Sequence, residues 1–224
     1  MSMQTEIREL SLNFEWKEED MKKLIGNQFK GLPIFPPQQD PYEFTMLLAE
    51  FLYLNPKVAV EIGSCQGFST WYWINYMQKG GTVISIDDWF VACKVWDIDY
   101  NEWWQTWVPE GVTLKTIKAN SQEDETRDQL TEYLASQNER FIDFLFIDGD
   151  HLYDGVKRDF DLYSPFVKPG GIIALHDISY MQKPLFIEVR QLWDEIVDAG
   201  YKTKKISSLK NPEVMGIGII YIEE

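Results

Sequence analysis

Histidine is scarce in this chain: of 224 residues only His151 and His176 carry an imidazole. Cysteine is as rare. Cys65 and Cys93 form no C-x-x-C pair and exclude a disulfide framework, which leaves a reducing, cytoplasmic location as the default. Positive charge is in deficit, with 21 Lys and Arg against 36 Asp and Glu and a net charge of −15. That balance opposes attraction to phosphate backbones and anionic lipids, so neither nucleic acid nor a membrane is an expected partner. No apolar run reaches the length of a membrane span, and the opening M-S-M-Q-T-E-I-R-E-L lacks the basic-then-apolar order of a signal peptide. Repeats and low-complexity segments are absent too. What remains is 45% apolar and 15% aromatic, enough for one sizeable core and short for two. The polar residues 1–32 read as an N-terminal arm or helix, and 33–224 as one domain.

The most informative stretch runs from Phe141 to Asp177 and reads as strand, helix, strand. Phe141–Ile147 is nearly continuous in apolar residues, broken by Asp143, as in a strand buried on both faces. Asp154 is placed to cap a helix with Val156, Phe160 and Tyr163 on one face. Pro169-Gly170-Gly171 turns the chain into a second apolar strand, Ile172–Leu175. A right-handed crossover brings both strand ends to one edge of the sheet. Asp148, Asp150 and His151 follow the first strand there, and His176 and Asp177 the second. Asp150 and Asp154 are read as turn and cap residues. Asp148, His151, His176 and Asp177 are read as functional, because turn formation requires neither histidine and ligands of open α/β sheets bind outside the carboxyl ends of the strands.

Elsewhere the pattern alternates. Asp40, Pro41 and Glu43 signal a helix start with capping-box spacing, and Asn55-Pro56 stops the helix. Strands are expected at Val58–Gly63, Thr82–Ile86 and Val112–Ile117. Helices are expected at Ser69–Met77, about Tyr100–Trp107, from Asn120-Ser121, and from Pro184 to Gly200. Tyr201–Ile206 and Met215–Ile222 read as a closing antiparallel pair. The tally is an α/β, doubly wound, mostly parallel seven-stranded sheet. Trp103 and Trp107 are read as packing residues. Trp89 and Phe90, directly after a strand end, are read as pocket candidates.

Glu61-Ile-Gly63-Ser64-x-x-Gly67-x-Ser69 is a glycine-bearing turn from a buried strand into a helix, suited to close approach of a ligand. The G-x-G-x-x-G fingerprint of a dinucleotide site is missing, which disfavours a nicotinamide-dependent oxidoreductase. Asp87, ending the second strand, suits a ribose with two free hydroxyls.

With D-G-D-H-x-Y-x-x-V-x-x-D, then P-x-x-x-x-G-G-x-x-x-x-H-D, the chain from about residue 33 onward resembles a class I S-adenosylmethionine-dependent methyltransferase. That pattern is similar to a bacterial family related to sugar and small-molecule O-methyltransferases and to cephalosporin hydroxylase-like proteins. The resemblance implies a Rossmann-like methyltransferase fold with an antiparallel last strand. It implies cofactor binding by Glu61, Gly63, Ser64, Gly67, Ser69 and Asp87, with adenine near Asn120, Ser121 and Gln122. Catechol-type relatives imply a divalent metal, Mg²⁺ or Mn²⁺, at Asp148 and Asp177, although Ile178 stands where they carry Asn. Macrolide-sugar relatives imply a general base at His151 and a Glu where this chain has His176. An imidazole ligand at that position shifts preference from Mg²⁺ toward softer ions.

The expected activity is O-methylation of a small-molecule hydroxyl, sugar or aromatic in type. The base would be His151, the metal ligands Asp148, Asp177 and His176, and Asp148 would belong to the catalytic set as well. The alternatives are the oxidoreductase and a cofactor-binding relative without methyl transfer. A homo-oligomer is left open.

Overall fold

The computed structural model describes residues 39–88, 100–179 and 187–223. Along the chain these form helix α1 (Pro41–Leu54), strand β1 (Val58–Ile62), α2 (Phe68–Tyr76), β2 (Thr82–Asp87), α3 (Tyr100–Gln105) and β3 (Thr113–Lys118). Then follow α4 (Asp124–Ser136), β4 (Ile142–Ile147), α5 (Tyr153–Tyr163), β5 (Val167–Leu175), α6 (Val189–Asp198), β6 (Lys202–Ile206) and β7 (Ile217–Tyr221). The N-terminal arm, Trp89, Phe90, Cys93 and Pro184 lie outside the described residues.

The seven strands make one sheet in the order β3-β2-β1-β4-β5-β7-β6. Neighbours from β3 to β5 are parallel, and β7 runs antiparallel to both β5 and β6. This is the doubly wound sheet with an antiparallel last strand that the sequence led us to expect. The chain builds outward from β1 to β3, then returns to start the other half at β4. The carboxyl ends of β1 and β4 therefore flank the point where strand order reverses, the place where such sheets open a crevice.

Alternation along the central strands explains their unbroken apolar sequence. In β4, Ile142, Leu145 and Ile147 join a core with α4, α5 and α6, whereas Phe144 and Phe146 join a second core with α1, α2 and α3. The aromatic surplus is spent in that second core. Phe51, Trp73, Phe144 and Phe146 pack with ring centroids 5.0–5.7 Å apart, each such pair contributing about 0.5–1.5 kcal/mol beyond its buried area. Trp103 and Trp107 pack against the same core, as expected. Asp143, the break in the β4 pattern, sits at the amino edge of the sheet. Its carboxylate accepts from the backbone N–H groups of Lys57 and Val58 and pairs with Lys168, which fixes where β1 begins.

Several local expectations are corrected. Asp154 does not cap α5. The helix follows Leu152, and the Asp150 carboxylate accepts from the Leu152 N–H in an Asx turn. Asn120-Ser121 forms a turn rather than a helix start, and α4 begins at Asp124. The strand β5 begins at Val167, so Pro169-Gly170-Gly171 lies within it as an irregularity rather than before it. Helix α6 begins at Val189, beyond the position expected from Pro184. Asp40 caps α1 as expected, but Glu43 does not close a capping box. It is fully buried and accepts from the N–H groups of Ser208 (2.5 Å) and Gly216 (2.9 Å), holding the turn between β6 and β7.

Candidate active site

The glycine turn after β1 is held from three sides. Glu61 is fully buried, its carboxylate accepting from the Thr70 hydroxyl and from the Trp73 indole N–H (2.9 Å), so it braces α2 against β1. Ser64 and Ser69 are also buried, and the Ser64 hydroxyl meets that of Ser85. Asp87, from the end of β2, accepts the Cys65 N–H at 2.7 Å, which brings the expected ribose partner onto the turn itself.

Both glycines are required by what they touch. Gly63 has φ +83°, and a Cβ there would lie 2.1 Å from the Asp148 carbonyl oxygen and 2.5 Å from Gly149 Cα. Gly67 has φ +84°, and a Cβ would fall 2.5 Å from the Trp104 ring. Trp104 is fully buried and donates its indole N–H to the Gln66 carbonyl (3.2 Å), so it floors the turn. Sequence reading singled out its neighbours Trp103 and Trp107 and passed over Trp104, since spacing alone cannot say which face meets the glycine.

Across the crevice, β4 and β5 deliver the second set. His176 Nδ1 lies 3.0 Å from Asp148 Oδ1 and 3.4 Å from Asp177 Oδ2. His151 Nε2 lies 3.6 and 3.5 Å from the same two oxygens. Asp148, His151 and Asp177 each offer an atom within 4.8 Å of the others, and His176 adds its nitrogen against both carboxylates. Burial alone would raise the Asp148 carboxyl. The positive charge of His176 and the contact with His151 overcome it and hold Asp148 below the usual range. Burial would likewise lower His176, and the two carboxylates, Asp148 foremost, raise it well above an ordinary histidine. The Asp148 contact raises His151 too, against burial.

The geometry fits a divalent cation. Both ring nitrogens of buried His176 lack a hydrogen-bond partner, so the 3.0 Å approach to Asp148 is a charge contact without the N–H aligned. Donors about 2.1 Å from a shared ion sit about 3.0 Å apart at octahedral and about 3.4 Å at tetrahedral angles; the two His176 separations, 3.0 and 3.4 Å, match these values, and the two His151 separations lie above them. An ion would replace the His176 proton, since only the neutral imidazole coordinates.

Asn120, Ser121 and Gln122 follow β3 at the same edge and are anchored to α5. Gln122 Nε2 donates to Asp150 Oδ2 (3.0 Å), and the Tyr163 hydroxyl donates to the Ser121 carbonyl (2.7 Å). The structure thus brings the expected cofactor, metal and base residues to one edge, with Glu61 as a buried brace beneath it; the pocket candidates Trp89 and Phe90 lie outside the described residues. Two contributors went unrecognised in the sequence. Gln39 donates to Asp148 Oδ2 at 2.7 Å. Asp159 is fully buried beneath Gly149, raised to about 7 mainly by burial. Neither carries a sequence signal beyond the closing Asp of D-G-D-H-x-Y-x-x-V-x-x-D.

Comparison with known proteins agrees with this fold. The O-methyltransferase of Bacillus cereus, solved in complex with SAH, superposes with a TM-score of 0.64 at 14% identity, covering 97% of each chain. The O-methyltransferase TomG of Streptomyces achromogenes, involved in tomaymycin synthesis and solved with SAM, gives 0.63 at 13% identity, covering 100% of each. At these identities the likeness is one of fold. An uncharacterized protein of Sinorhizobium fredii, y4gI, is 24% identical over 172 residues. That alignment takes in 75% of this chain, which spans only 17% of the relative's length. The family described as "Methyltransferase domain" matches residues 60–178, from β1 through the residues just after β5. That span contains the glycine turn and the loops that follow β4 and β5, and it weighs against the nicotinamide alternative: the chain belongs to the methyltransferase-domain family.

Proposed function

We propose that this enzyme transfers the methyl group of S-adenosylmethionine to the oxygen of a small-molecule hydroxyl, sugar or aromatic in type, beside a bound divalent ion. The observation that carries this reading is the close packing of the two turns. The glycine turn, suited to the cofactor, touches the backbone of Asp148, whose carboxylate belongs to the His-Asp cluster. Donor and acceptor are thereby held in one crevice. Positioning is the main demand of an in-line displacement, in which the sulfonium C–S bond breaks as the C–O bond forms.

The two histidines divide the work. His176, 4% exposed, sits between Asp148 and Asp177 and completes their ligand set; His151, 39% exposed, faces the crevice and takes the hydroxyl proton on Nε2. When bound, the ion would lower the pKa of the acceptor hydroxyl and orient it. With an imidazole in the set, Mn²⁺ suits the site better than Mg²⁺. The Asp148 contact that raises His151 makes it a stronger proton acceptor. The likeness in fold to two O-methyltransferases, one of them involved in tomaymycin synthesis, supports oxygen as the acceptor atom.

Calorimetric titration with S-adenosylmethionine and S-adenosylhomocysteine, with and without Mn²⁺ or Mg²⁺, tests the cofactor. Micromolar binding is expected, and no binding under any condition would overturn the reading. Turnover on a panel of sugar and phenolic hydroxyls tests the reaction. His151→Ala should abolish it while leaving cofactor affinity nearly intact, and full activity in chelator after metal stripping would remove the ion.

A further inference from the structure

We infer that Gln39, outside the residues 60–178 that match the family, is a positioning residue that aims the Asp148 carboxylate into the cation cluster; this rests on the cation reading above. The two oxygens of Asp148 face different partners. Oδ1 lies against His176 Nδ1 (3.0 Å) and His151 Nε2 (3.6 Å), whereas Oδ2 accepts from Gln39 Nε2 at 2.7 Å. A carboxylate at the end of a strand can rotate about its last bond. Occupying Oδ2 with a fixed donor leaves Oδ1 directed at the cluster.

Gln39 is fixed in its turn. It directly precedes Asp40, whose carboxylate accepts from the N–H groups of Tyr42 and Glu43 at the start of α1 and from the Ser208 hydroxyl (2.8 Å). Glu43 holds Ser208 and Gly216, and the carbonyls of Gly216 and Met215 accept from the N–H groups of Ile178 and Ser179, immediately after Asp177. One hydrogen-bonded frame, running from the start of α1 through the β6–β7 turn, therefore supports both carboxylates of the cluster. An amide is also the right donor chemically. It orients the carboxylate without cancelling its charge, whereas a lysine or arginine there would compete with the cation.

Partners of this kind, behind a metal ligand, typically change ion affinity by about 10–100-fold when removed. The test is titration of metal-free protein with Mn²⁺, followed through the EPR signal of the free ion, for the wild type, Gln39→Met and Gln39→Asn. The first variant keeps the volume and removes the donor; the second keeps the amide but draws it back by one methylene. Both should bind Mn²⁺ at least about tenfold more weakly, with melting temperature and S-adenosylhomocysteine affinity unchanged. Wild-type affinity in both variants overturns the inference while leaving the cation site standing. So does a loss of ion affinity that is matched by a fall in melting temperature and cofactor binding in both variants, which would mark a general structural role. Failure of the wild type itself to bind Mn²⁺ overturns the cation reading and the role of Gln39 with it.

Discussion

Replacing Gly63 by alanine probes the contact between the two halves of the candidate active site. The added Cβ meets two costs. At φ +83° an L side chain is in the left-handed region, at about 1–2 kcal/mol. It would also lie 2.1 Å from the Asp148 carbonyl oxygen and 2.5 Å from Gly149 Cα, both backbone atoms with no rotamer to yield. Forcing them apart adds about 1–3 kcal/mol by analogy with overpacked cores. The sum, about 2–5 kcal/mol, is a drop of about 4–20 °C in melting temperature for a chain of this size. Gly80→Ala and Gly170→Ala supply the control. Their φ values are +86° and +79°, and a Cβ at either would meet nothing within 4 Å, so each should show the backbone cost alone. Scanning calorimetry on the three variants separates the terms. Because the strain falls on Asp148, Gly63→Ala should also weaken both S-adenosylmethionine and Mn²⁺ binding, which the controls should not. A Gly63→Ala variant no less stable than Gly80→Ala would refute the packing of the two turns.

Burial raises the Glu61 carboxyl from 4.5 to about 7, against the hydrogen bonds of Ser69, Thr70 and Trp73 that lower it. The folded protein thus holds this proton more tightly than the unfolded chain. The stabilisation is complete below about pH 4.5 and lost as pH rises through about 7. Glu61→Gln keeps both partners, its amide donating to the Thr70 hydroxyl and its carbonyl accepting from Trp73. Relative to wild type it should gain on the order of 2 kcal/mol between pH 5 and pH 8, measured by urea unfolding; parallel curves across that range would sink the argument. Trp104→Ala should cost about 3–5 kcal/mol and weaken cofactor binding by removing the floor under Gly67. Trp103→Ala, at a half-buried neighbour, should cost less and leave cofactor affinity alone; equal effects would show that Trp104 has no special place beneath the turn.

Much of the fold was legible because its signals are local. Apolar runs bounded by glycine and proline marked the strands, and the capping residue Asp40 marked α1. The polar residues that end β4 and β5 converge because parallel strands end at one edge, which groups Asp148, His151, His176 and Asp177 from the sequence; Gly63 and Asp87 join them through the glycine turn and the resemblance to methyltransferases. Local signals failed where a side chain had a distant competitor for its hydrogen bonds. Glu43 has capping-box spacing but serves the Ser208 and Gly216 N–H groups, and Asp150 rather than Asp154 shapes the start of α5.

By itself the sequence determined the class of fold, the edge at which the candidate site residues gather and the residue types found there, since these follow from periodicity and strand polarity. Only the tertiary structure decided which groups touch: Trp104 under Gly67, Gly63 against Asp148, and Gln39 on the oxygen of Asp148 that faces away from the histidines. The physical reason is that such contacts join segments far apart in the chain, and their geometry is set by how helices and turns pack on the finished sheet rather than by any spacing along it.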